Sequence, residues 1–150
     1  LFDMNKLFEK FVAYHLKETC KFSLKEQEEK YYLVQYKEKE RFKIKPDIVI
    51  REKNKDKIEI YILDTKWKKI DQNTDNVDQG DLYQMLSYAQ IYKSKEKENK
   101  YIKLYLIYPK TNKFDTPILF KFNDMYKTSI ILYPFDMQNV NSNCNLKDIS

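Results

Sequence analysis

The sequence predicts a single mixed α/β domain, and three observations carry that prediction. Apolar residues recur at helical spacing, then strand spacing, then helical and strand spacing again, in the order α, β, β, β, α, β with further edge strands. At 150 residues, with 42% hydrophobic and 15% aromatic content, the chain can bury one real core and is too apolar to stay disordered. No internal repeat and no long linker divides it, so residues 1–150 read as one domain.

From Met4 to Leu16, the residues Met4, Leu7, Phe8, Phe11 and Val12 follow the i, i+3, i+4, i+7 pattern of an amphipathic helix, with Asp3 as its N-cap. After a charged stretch, Tyr31–Tyr36 has the aromatic and branched content of a strand, and a second extended run from Arg41 to Ile50 is interrupted by Pro46. The cluster from Lys53 to Lys57 is a polar hairpin turn. Ile58–Trp67 follows as a strand in which Ile58, Ile60 and Ile62 alternate with Glu59 and Tyr61. The Asp-, Asn- and Gln-rich segment from Asp71 to Gly80 is a surface loop. Asp81–Lys93 returns to helical spacing through Leu82, Met85, Leu86 and Ala89, and a charged turn ends it near Glu96. Tyr101–Tyr108 reads as a buried strand stopped by Pro109, with shorter strands at Ile118–Phe122 and Ile130–Tyr133. The last fifteen residues carry no assignable pattern.

Composition excludes several functions. No apolar run approaches the ~20 residues of a membrane span and the N-terminus lacks signal-peptide order, so a cytoplasmic protein with no membrane role is expected. Cys20 and Cys144 lie far apart with no CxxC pair, so neither a zinc site nor a disulfide is expected. Gly80 is the only glycine, which rules out both the Walker A loop and the dinucleotide fingerprint and leaves no cofactor-binding residues. His15, the only histidine, falls within the apolar stripe of the first helix and reads as a core residue; serine or cysteine nucleophile chemistry then lacks a base. The net charge of +5 mildly favours a polyanionic partner.

The residues that carry chemistry lie on either side of the hairpin. Pro46-Asp47 precedes it and Asp64-Thr65-Lys66 follows it, so the turn brings two carboxylates together. Asp64 and Lys66 share one strand face, continuing the row of Ile60 and Ile62. Paired carboxylates repel, and a hard divalent ion such as Mg²⁺ relieves the repulsion. On the next helix Asp81, Gln84 and Tyr88 cluster on a face apart from Leu82, Leu86 and Ala89. Lys37, Lys39, Arg41, Lys43 and Lys45 alternate strictly; in an unbroken strand they form either a phosphate track leading to Asp47 or the lysine guard of an edge strand.

Four ordered blocks, residues 3–12, 45–50, 63–68 and 81–89, together resemble the nuclease domain of the McrC family, the endonuclease subunits of McrBC modification-dependent restriction systems. The resemblance implies a PD-(D/E)xK restriction-endonuclease-like fold, with a central mixed sheet flanked by helices. It implies metal ligation by Asp47, Asp64, the Thr65 carbonyl and Glu9, and Mg²⁺ as cofactor with Mn²⁺ able to substitute. Lys66 then acts on the attacking water, and Gln84 and Tyr88 match the QxxxY element of RecB-like nucleases. Lys43, Lys45, Lys68 and Lys69 are the expected DNA contacts. Double-stranded DNA is the expected substrate, and an McrB-like AAA+ GTPase, engaged through an N-terminal region absent here, the expected partner. The chain, which starts without Met, is on this reading the C-terminal nuclease domain of a longer protein. A RecB-like nuclease of repair or phage origin, or an inactive DNA-binding scaffold, are the alternatives.

Overall fold

The computed structural model describes residues 2–96 and 100–149. Helix α1 (Met4–Glu18) is followed by strands β1 (Leu24–Glu26), β2 (Tyr32–Tyr36), β3 (Lys39–Lys43), β4 (Ile48–Asn54) and β5 (Lys57–Thr65). Helix α2 (Gln79–Lys95) then leads to β6 (Lys100–Pro109), β7 (Ile118–Lys121), β8 (Ser129–Phe135) and a 3-10 segment, Val140–Asp148. Six strands form one mixed sheet in the order β1-β4-β5-β6-β8-β7. β4 and β5 are antiparallel, whereas β5, β6 and β8 run parallel, with α2 as the crossover between β5 and β6. This is the flanked mixed sheet the sequence predicts.

Strand alternation divides the core into two layers. Ile48, Ile50, Leu63, Tyr105, Ile107, Ile131 and Tyr133 pack with Phe8, Val12 and Leu16 of α1 and with Leu146 of the 3-10 segment. Val49, Ile60, Ile62, Leu104, Leu106 and Leu132 pack with Met85, Tyr88, Ala89 and Tyr92 of α2. β5, β6 and β8 are covered on both faces, which explains their near-continuous apolar runs.

Asp3 caps α1 as expected, its side chain accepting from the Lys6 amide. The buried face of α1 is rotated from the expected stripe: Phe8, Glu9, Val12, Ala13 and Leu16 are buried, while Met4 and Leu7 are exposed. His15 is half-buried against the Phe11 and Tyr14 rings with Nδ1 at 3.1 Å from Thr19 Oγ1, a surface position and not the core one expected. On α2, Leu82 and Leu86 are only half-buried. The core face instead carries two tyrosines, Tyr88 and Tyr92, whose rings bury like apolar residues.

The run Arg41–Ile50 is two strands in different sheets. β2 and β3 pair only with each other, as an antiparallel ribbon turning at Lys37 and Glu38, both at positive φ. The five alternating basic residues therefore do not share one strand face, because Lys37 occupies the turn. Cys20 and Cys144 are joined by a disulfide, with Cα atoms 5.0 Å apart. This corrects the expectation of unpaired cysteines: a separation of 124 residues leaves no local trace in sequence, and only the packing of the C-terminal segment beside α1 brings the pair together. The charged turn expected to end this helix near Glu96 falls in part on residues 97–99, which lie outside the described residues. Among the described residues, no helix is long and apolar enough to cross a membrane.

Candidate metal and nuclease site

The β4–β5 register sets Ile48 opposite Leu63, so one step further along the ladder Asp47 faces Asp64. Backbone and side-chain donors lock the two together. The Asp47 amide donates to Asp64 Oδ1 (2.9 Å), while the Thr65 amide and hydroxyl donate to Asp47 Oδ2 (2.8 and 3.0 Å). Pro46 is buried and Asp64 is 3% exposed, so this acidic pair sits at the rim of the core. Burial, and then the Asp47 charge, push the Asp64 carboxyl up to about 7.

Lys66 lies just past the end of β5, its amide bonded to the Ile107 carbonyl. Its Nζ stands 3.7 Å from Asp64 Oδ2 and 3.5 Å from Asp81 Oδ1, and donates to Gln84 Oε1 at 3.3 Å. Two α2 residues one turn apart therefore help hold the lysine over the acidic pair. Tyr88 is buried on the same helix, its hydroxyl held un-ionised by burial and by the Asp64 and Asp47 charges. Glu9 arrives from α1, and burial followed by the Asp47 charge raises its carboxyl above the usual range.

Gln27, which the sequence did not single out, joins these groups. Its Nε2 donates to Glu9 Oε2 at 2.6 Å and to Asp47 Oδ1 at 3.1 Å, while its own amide nitrogen is bonded to the Asp47 carbonyl. It sits at φ 51° in a charged stretch without periodicity, so no pattern marked it. Glu9, Asp47, Asp64, Thr65, Lys66, Gln84 and Tyr88 all line one open cleft of about 490 Å³, together with Lys45 and Lys6.

A family model described as McrBC 5-methylcytosine restriction system component matches residues 1–109. The chain belongs to the McrBC family. Its fold is similar to a chain in the refined half-complex from a tetradecameric assembly of Thermococcus gammatolerans McrB AAA+ hexamers with bound McrC, at TM-score 0.69 and 23% identity, covering 99% of this chain and 34% of that one. Among curated proteins none matches. The McrBC resemblance read from four short blocks is thus borne out.

The cleft of this McrBC-family chain gathers three carboxylates, from α1, the residue before β4, and β5, the oxygen donors that hard divalent cations take, and its buried member Asp64 has Lys66 Nζ 3.7 Å away. The three are gathered but do not stand around one point; among the described residues no three acidic, histidine or cysteine groups are already in ligating positions. Gln27 and Thr65 occupy the oxygens that a cation would share. The four lysines expected to contact DNA divide into two pairs. Lys43 and Lys45 both pair with Glu29, at 3.2 and 3.1 Å, on the side where Lys45 borders the cleft. Lys68 lies 3.8 Å from Asp78, and Lys69 is exposed.

Proposed function

We propose that this chain is the nuclease domain of an McrC-type subunit, hydrolysing phosphodiester bonds of double-stranded DNA with Mg²⁺, for which Mn²⁺ can substitute. The observation that carries the reading is Asp47 facing Asp64 across β4 and β5 with Lys66 Nζ beside Asp64. Glu9, Asp47, Asp64 and the Thr65 carbonyl would hold the cation. When bound, it offsets the clustered negative charge and that which develops on the phosphate.

The chain's own groups have separate tasks. Asp47 and Asp64 are held facing each other by three hydrogen bonds from backbone and Thr65, and a cation would take over Asp47 oxygens that Gln27 and Thr65 now engage. Lys66, held by Asp64, Asp81 and Gln84, keeps an ammonium at the mouth of the cleft, where it donates a proton or hydrogen bond to a phosphate oxygen or orients the attacking water. Tyr88 and Gln84 line the cleft, and Lys43, Lys45, Lys68 and Lys69 hold the DNA backbone. The much longer neighbouring chain supports these residues being one domain of a larger polypeptide, with an McrB-like AAA+ GTPase as partner and motor. Family membership favours this reading over a RecB-like nuclease of repair or phage origin. The complete acidic and lysine set argues against a scaffold that has lost catalysis.

The test is nicking of supercoiled plasmid with Mg²⁺ or Mn²⁺, comparing wild type with Asp64→Ala. Cleavage is expected only from wild type with metal; equal cleavage by the variant, or none by wild type at high protein concentration and low salt, would overturn the proposal.

A further inference from the structure

The β2–β3 ribbon is the least explained part of the fold. Every residue from Leu33 to Lys43 is exposed, including Leu33, Val34, Tyr36 (56%) and Phe42 (68%). A two-stranded ribbon is marginal in water on its own, so its base must be held. That base is held firmly. Tyr31 sits edge-on to Tyr92 at 4.9 Å and its carbonyl accepts from the Ile44 amide. Arg51 makes a bidentate pair with Glu28 and a second pair with Glu96, and the Tyr92 hydroxyl closes on Glu28. The result is a ribbon anchored at its root and bare along its length.

Charge concentrates on the same element. Over residues 32–43, Lys37, Lys39, Arg41 and Lys43 stand against Glu38 and Glu40, and at the root of the ribbon Lys43 and Lys45 pair with Glu29. Pairing sets Tyr36 opposite Lys39, Val34 opposite Arg41 and Tyr32 opposite Lys43, so one face combines aromatic and cationic side chains. Lysines alone would suit a guarded edge; the exposed Leu33, Tyr36 and Phe42 would defeat such a guard and call for an occupant. The segments flanking the ribbon reach the cleft, for Gln27, a few residues before β2, touches Asp47, a few residues after β3, and Lys45 lines the cleft.

We infer that the β2–β3 ribbon is a duplex-DNA-engaging arm, Lys39 and Arg41 contacting phosphates while Tyr36, on the same face, lies against the groove. This rests on the nuclease reading for its choice of polyanion, and it adds a binding element separate from the cleft. A two-stranded ribbon fits the major groove of B-DNA, and the strands, each about 17 Å long, are long enough to enter it. The arm holds the duplex beside Asp47 and Asp64 without taking part in the chemistry.

The experiment measures fluorescence anisotropy of a short labelled duplex with the 150-residue chain in EDTA, across a salt series, alongside plasmid cleavage with Mg²⁺. Lys39→Ala/Arg41→Ala should weaken binding about 10-fold or more near 0.1 M salt and make the dependence of log K on log salt shallower by about two. Tyr36→Ala should weaken binding without changing that slope. All three positions are exposed, so circular dichroism and melting should match wild type. Asp64→Ala should bind like wild type and not cleave. Wild-type DNA affinity in both ribbon variants, or no duplex binding by wild type, overturns the inference; so does a loss of self-association in the ribbon variants with DNA affinity intact, which would make the arm a protein contact. If the ribbon variants lose DNA affinity but Asp64→Ala still cleaves, the arm stands and the active-site assignment falls.

Discussion

Asp64→Asn should make the metal-free protein more stable while abolishing its activity. Asn keeps the shape and the oxygen that accepts the Asp47 amide, but removes a charge that burial and Asp47 both oppose. The carboxyl rises from an ordinary value of 3.8 to about 7, which at ~1.4 kcal/mol per pH unit corresponds to a ceiling of roughly 4 kcal/mol on the expected gain. The sign follows from proton uptake. Because the folded-state value lies above the unfolded one, the wild type is unpenalised below about pH 4, and loses stability as pH rises towards 7. Urea denaturation of both proteins in EDTA should therefore give equal stabilities near pH 4 and a gap favouring the variant near pH 8. Added Mg²⁺ should narrow or reverse the gap by stabilising the wild type alone. A gap that does not change between those pH values would refute the electrostatic argument, and a variant less stable than wild type at high pH would refute it outright.

Lys66→Ala should slow plasmid cleavage at least ~100-fold while leaving the calorimetric heat of Mn²⁺ binding in place, since the ammonium is set to act on water or phosphate; activity within a few-fold of wild type removes it from the chemistry. Arg51→Ala leaves the Glu28 and Glu96 carboxylates buried without their partner and should cost about 3 kcal/mol, towards the low end for such pairs because Arg51 is 30% exposed. Burial pushes Glu28 and Glu96 up but the Arg51 hydrogen bonds outweigh it and hold both below the usual range, so the difference from wild type should be full near neutral pH and shrink as acid protonates them. A pH-independent difference in urea titrations would count against that account. Cys144→Ser should lower stability by up to about 5 kcal/mol, the chain-entropy value for so long a loop, and reductant should lower wild type to the same level; two reactive thiols in the unreduced wild type would show the link absent.

The elements legible in the sequence are those whose burial is one-sided or complete. Asp3 and the periodicity after it gave α1, and the apolar runs of β5, β6 and β8 gave strands covered on both faces. Where the pattern misled, a tertiary contact had overridden it. Pro46 looked like an interruption within one strand, but it is the point at which the chain passes from the ribbon into the central sheet. The outward Leu7 fits the helical stripe as well as the buried Leu16 does, and periodicity cannot tell which flank a sheet will cover. β1 is three residues long with two exposed, and is a strand only because β4 offers it an edge.

The site was readable to the extent that its geometry is local. Asp47 and Asp64 meet because one turn sets their register, and a turn is visible in sequence; helical spacing put Gln84 and Tyr88 on one face, but their place at the site, like that of Glu9, came through the McrC resemblance, since nothing local fixes where α1 or α2 docks. Gln27 had neither warrant. Its position nonetheless follows from the same electrostatics as the proposed cation: Glu9 and Asp47 both bring carboxylates into a half-buried cleft, and the Gln27 side chain donates to both. A glutamine amide has two N–H groups and no charge, so it can bridge the carboxylates without neutralising them. Asp64 rises towards neutrality first because it is buried and then because Asp47 faces it, more than Lys66 and the Asp47 amide offset, and a divalent ion would have most to gain at that pair.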